Sequence, residues 1–327
     1  MDTEPTGRTI DGIPWEEPRP PHLPDAVTRV SPWVIPFVLL AGVQVVAAWL
    51  DWAAQGDIRD PNVVEFILVQ WLPGICASLL GAALFYRHRD AHRRLPMLVV
   101  GVVLLTLAAL LRLAGDPVGE ALMAAAPPDD EGWIFNSYGI YRAAITVVSI
   151  FGVVYLARGL AGARRSADVV SGRVLGIVAV AVVVVASLIS PVFAFGQFDR
   201  EVLTPINIVS LVLATIDTLA WAYLFVIAFG GWLAGERARI GWLLVALAAI
   251  IDLIFLVVLA ASGFVDLSGG GVFLIMLSWL GIARWVFLLT AFALGLPSME
   301  GVPVSDEPVA GATPDRPAVT TPSSGPG

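Results

Sequence analysis

Three ionisable residues stand inside stretches of sequence that are otherwise wholly apolar: Asp217 in "TIDTLAW", Asp252 in "IIDLIF" and Arg284 in "GIARWVF". A guanidinium remains protonated at any accessible pH, and its planar fork can bind a carboxylate through two parallel hydrogen bonds. Each such group would cost about 2.5–3.5 kcal/mol facing lipid at a helix centre. The inexpensive arrangement turns them toward one another. One arginine between two aspartates leaves one carboxyl in excess. The set is therefore expected to pair one aspartate with Arg284 while the other binds and releases a proton. Trp221, four residues after Asp217, lies on the same helical face, and Phe255 follows Asp252 by three. Gly281, three before Arg284, leaves backbone clearance, and Trp285 adjoins it. Together these residues could wall a polar pocket for a small solute, a proton or a lipophilic ligand. A second set, Glu65 early in the second apolar block, Arg112 late in the third and Arg142 early in the fourth, is expected near the outer face. It could line a vestibule or reach out to lipid headgroups.

The elements that carry these residues are apolar blocks. The chain of 327 residues is 57% hydrophobic and 14% charged, with a mean hydropathy of +0.83. A soluble domain carries about 25% charged residues. Blocks of roughly 20 residues suffice to cross a hydrocarbon core as a helix. Eight are expected, at about 32–50, 63–85, 95–114, 139–160, 174–196, 205–230, 240–262 and 272–296. With a rise of about 1.5 Å per residue, Asp217 and Arg284 each lie about 18 Å into their spans and Asp252 about 15 Å. That is nearly one plane. The fold class is thus an all-α integral membrane bundle. Residues 1–31 and 297–327, rich in proline and acid, read as disordered tails. The start, "MDTEPTGRT", has no signal-peptide pattern. The connection 115–138 has room for a short interfacial helix at its beginning.

Arginines concentrate in alternate connections: Arg87, Arg89, Arg93 and Arg94; then Arg158, Arg164, Arg165 and Arg173; then Arg237 and Arg239. Basic loops stay cytoplasmic, so both termini are expected in the cytoplasm of a plasma-membrane protein. Trp33, Trp232 and Trp242 would then mark the inner interface, and Trp49, Trp52, Trp71 and Trp133 the outer one. Spans two and six both open after a proline and an asparagine, which admits a four-plus-four repeat of 32–160 and 174–296. Gln44 and Gln70 lie at similar depths on adjacent spans and could bond to each other. Pro73-Gly74 is placed to kink span two.

Several chemistries are excluded or disfavoured. All 19 basic residues are arginine, so no lysine Schiff base can form. The lone Cys76 cannot make an intrachain disulfide. The three histidines lie outside the apolar blocks, and no HExxH, phosphate loop or aspartate-rich magnesium motif is present, so neither metal nor cofactor is expected. The arginine-rich loops are explained by topology without nucleic acid. Three uses of the Asp217–Asp252–Arg284 cluster remain. The first is a small-solute or proton-linked carrier. The second is an intramembrane enzyme on an isoprenoid-like substrate, with an aspartic acid as proton donor. The third is a partner subunit whose ion pairs only staple its helices. A cytoplasmic protein partner could bind the tails.

Overall fold

The computed structural model describes residues 9–10, 13–14, 31–54, 61–89, 91–127, 131–163, 177, 181, 205–234, 238–262 and 270–296. Within the amino-terminal tail, β1 (Thr9–Ile10) and β2 (Ile13–Pro14) form a two-rung antiparallel ladder. Everything else of regular form among the described residues is helical. The helices are α1 (Val34–Ala54), α2 (Pro61–Arg87), α3 (Ala91–Arg94), α4 (Pro96–Leu113), α5 (Gly115–Ala125) and α6 (Glu131–Gly162). After them come α7 (Pro205–Leu233), α8 (Arg239–Ser262) and α9 (Gly270–Ala293).

Five of these (α1, α2, α4, α6 and α7) are long and apolar enough to cross a membrane, and the chain is a helical membrane protein. The expected spans coincide with these five and with α8 and α9. Of the expected fifth span, 174–196, only residues 177 and 181 are described, and the tails 1–30 and 297–327, apart from the ladder, lie outside the described residues. A short helix, α5, stands where the sequence leads one to expect it, at the start of the 115–138 connection. Helix α6 starts eight residues before the expected 139, because Glu131, Asn136 and Ser137 interrupt the apolar run of its first turns.

Among the described residues, six helices close a ring. Helix α2 packs on α4, α4 on α6, α6 on α7, α7 on α8, α8 on α9, and α9 back on α2. Helix α1 packs on α2 and presents Ile35, Val38, Leu39, Val43 and Val46 outward, as a lipid-facing helix should. The α2 and α9 termini meet at one end of the bundle, beside α3; α5 marks the other.

Close packing sets the ring's dimensions. Gly101 of α4 lies against the backbone of Leu156, and Gly159 of α6 against the backbone nitrogen of Leu98. Glycine at such crossings lets two backbones approach, which is how membrane helices gain packing energy in the absence of a hydrophobic driving force. Thr106 Oγ1 donates across to the Ala77 carbonyl, 3.1 Å away. Gln44 and Gln70 do not bond each other: Gln44 Nε2 donates to Ser78 Oγ at 2.8 Å and Gln70 Nε2 to Asp116 Oδ2 at 2.9 Å. Two residues 26 apart on successive antiparallel helices match in depth, but here each finds a nearer oxygen on the face it presents.

Helix α9 ends in a Schellman turn. Gly295, at φ 96°, gives its N–H to the Phe292 carbonyl, and Leu296 N–H returns to Ala291. Leu296 is fully buried, as the apolar residue after such a cap should be. Arg87 Nη2 donates to the Ala293 carbonyl at 2.8 Å, a cation at the negative end of a helix. At His88, just beyond α2, burial and then Arg87 hold the imidazole below its ordinary value, so it is neutral near pH 7. A Cβ on Gly295 would meet nothing within 4 Å, so Gly295→Ala isolates the backbone cost of the left-handed conformation. We expect about 1–2 kcal/mol of destabilisation, read as a lowered midpoint in thermal unfolding of the detergent-solubilised protein.

Candidate functional site

Arg284 projects from α9 into the ring. Its Cζ lies 4.7 Å from the centre of the Trp221 ring. Trp221 belongs to α7, which is not adjacent to α9 in the ring, so the contact crosses the interior. Trp221 is 1% exposed. An arginine over an indole face contributes about 0.5–2 kcal/mol, more as the pair is desolvated. Asp217 lies one turn from Trp221 on the same face of α7, half-buried, with one carboxyl oxygen shielded from solvent. The expected common face of Asp217 and Trp221 and the inward aim of Arg284 are thus both present. The side chains of Asp252 and Phe255 lie outside the described residues, although both positions are helical in α8.

A cavity of about 270 Å³ opens beside Arg284. Helix α2 contributes Gln70, Pro73 and Gly74, α4 contributes Arg112, and α9 contributes Gly281 and Trp285. Helices α4 and α9 are not neighbours either, so this space also lies on the inner side of the ring. The expected clearance at Gly281 is real: a Cβ there would meet nothing within 4 Å. Proline has no N–H, so Pro73 leaves the Val69 carbonyl without its helical donor; both residues line the cavity. Gln70 turns its nitrogen to Asp116, and its buried Oε1 has no hydrogen-bond partner among the described residues. The cavity is therefore lined by two arginines and Gln70, and no carboxylate lines it among the described residues.

The presence of Arg112 here could not be read from the sequence. Its place late in the third apolar block groups it with Glu65 and Arg142 as a vestibule residue. The structure does place Arg112 and Arg142 on one groove, with Tyr138 and Tyr141. It also carries Arg112 into the inner cavity, and Glu65 lines neither. The missing signal is the packing of α9 alongside α2. Both helices run toward the α3 end, since Arg87 meets Ala293 while Gly74 and Gly281 share a cavity.

Comparison with protein-family models, curated proteins and solved structures finds no match to this chain.

Proposed function

We propose that this chain is a carrier or permease-like protein of the plasma membrane that binds a small anionic solute at Arg284, inside its helix ring. The observation that carries the reading is the cavity shared by Arg284 and Arg112. Two guanidiniums bring their planar forks to one space, the geometry that binds an oxyanion through paired hydrogen bonds, and Gln70 lines the same space. The volume lies below the ~300–1,000 Å³ of sites for drug-sized ligands, which suits a solute of a few heavy atoms. Asp217, beside Trp221, is the group through which proton binding would couple to solute binding. The same charge argues against isoprenoid cyclisation, because two guanidiniums would raise the energy of a carbocation.

Eight spans complete this architecture. Helices α2 and α4 are antiparallel, as are α4 and α6, α7 and α8, and α8 and α9, whereas α2 and α9 are parallel. Helices α6 and α7 therefore run the same way, and the residues that end one and begin the other lie at opposite ends of the bundle. The expected span at 174–196 has the length to make that return. Arg87, Arg89, Arg93, Arg94, Arg158 and Arg239 gather at the α3 end, against Arg112 and Arg142 toward the α5 end. The positive-inside rule then makes the α3 end cytoplasmic.

The test is efflux of radiolabelled phosphate, lactate and succinate from proteoliposomes. Wild-type protein should release at least one of the three faster than protein-free vesicles. Gly281→Leu, which fills the cavity without touching a charge, should stop it. Equal release from wild-type, Gly281→Leu and empty vesicles contradicts the reading.

A further inference from the structure

The groove between α4, α5 and α6 is separate from the inner cavity except for Arg112. It encloses about 550 Å³ and is lined by Arg112, Gly115, Tyr138, Tyr141, Arg142 and Thr146, together with Ile145. Its walls are fixed. Tyr141 donates its hydroxyl to the Leu111 carbonyl, tying the end of α4 to α6, and the rings of Tyr138 and Tyr141 lie 6.2 Å apart. Gly115 and Tyr138 also belong to an adjoining cavity of about 680 Å³ along α5, which includes Met123 and Ile134 and is mostly apolar. The acids beside that second cavity are Asp116, held by Gln70, and Glu120. Neither lines the basic groove.

Depth gives the groove its meaning. The 32 residues of α6 extend about 48 Å at 1.5 Å per residue, about 18 Å more than a hydrocarbon core. Arg158 and Arg142, both exposed, are 16 residues and so about 24 Å apart. With Arg158 at one interface, the Arg142 backbone stands about 6 Å inside the other, a gap that an arginine side chain spans to reach the headgroups. Two arginines therefore face one groove at headgroup height, and an apolar trough leads on from it.

We infer that this groove binds the phosphate of an anionic membrane lipid between Arg112 and Arg142, with an acyl chain lying along α5. A guanidinium pair suits a phosphate's planar, forked recognition, and basic residues at a membrane surface each contribute an affinity of about fivefold toward anionic lipid. Arg142 lines this groove and not the inner cavity, so the inference stands or falls apart from solute transport.

Native mass spectrometry after extraction from bilayers of equal phosphatidylglycerol and phosphatidylcholine tests it, alongside thermal unfolding with added lipid. Wild-type protein should retain phosphatidylglycerol in preference and melt higher when it is added. Arg142→Gln should reduce that retention about fivefold or more, and Arg142→Lys should restore part of it. Arg89→Gln, at the far end of the bundle, should change nothing. Retention without preference, or an Arg142→Gln protein that still selects phosphatidylglycerol, overturns the inference. So does stabilisation of the wild type by inorganic phosphate equal to that by lipid, which would make this a site for a soluble anion.

Discussion

Arg284→Gln should lower solute efflux about 30- to 100-fold while leaving the fold intact. The expected size follows from what the residue provides. A hydrogen bond to a charged group is worth about 1.5–3 kcal/mol, and glutamine keeps an N–H donor, so about one such bond to the anion is lost. The structural cost includes the lost guanidinium–indole contact at Trp221, about 2 kcal/mol for a buried pair, and is separated from transport by counting only folded protein. Arg284→Lys separates charge from geometry. It preserves the cation but gives up the planar stack and the fork, so efflux should lie between wild type and the glutamine variant. If the arginine were only a staple, both variants would lose stability and the remaining folded protein would transport at the wild-type rate. Efflux per folded molecule, normalised to the monodisperse fraction on size exclusion, distinguishes these outcomes.

The second large effect is on stability. Gly159→Leu should unfold or severely weaken the bundle. A Cβ at this position would come within 2.5 Å of the Leu98 backbone nitrogen and 2.6 Å of its Cα. The obstacle is main chain, so no rotamer change relieves it, and α4 must separate from α6. Overpacking that side chains can partly absorb already costs about 1–3 kcal/mol; here a whole isobutyl group must be accommodated against backbone. Gly101 faces the same constraint from the Leu156 backbone, so Gly101→Leu should behave alike. The control is Gly281→Ala on α9, where the added methyl enters open space. It should unfold in sodium dodecyl sulfate titrations with the wild-type midpoint, whereas Gly159→Leu should lose its transition or shift it to far lower detergent.

The helices were legible because runs of apolar residues without charge have one stable use. Their ends were less so. Glu131 to Tyr138 extends α6 by two turns outside the apolar block, and polar helix of that kind looks like loop to a hydropathy argument. The site was readable in part for a definite reason: Asp217 and Trp221 are four apart, so one helical face must hold both, and a buried arginine must find company. The joining of Arg284 with Arg112 was not readable. It depends on α2 and α9 lying parallel and on α4 and α9 facing each other across a ring, which are relations between helices far apart in the chain. Ser78 was missed as the partner of Gln44 for the same reason. A serine inside an apolar run is unremarkable until a glutamine on α1 is brought within 2.8 Å of it.

The central claim is a hydrated, positively charged space beside Gly281. The single cysteine, Cys76, is buried, so a Cys76→Ala background allows one new thiol to be introduced as Gly281→Cys with no clash. Modification should then be timed with methanethiosulfonate reagents of opposite charge added from the α5 side. Reaction with the sulfonate reagent at least about tenfold faster than with the trimethylammonium reagent is expected, since a focused field of this sign raises the local concentration of anions by about that factor or more. An unreactive thiol, or one that reacts equally with both reagents, would contradict the account.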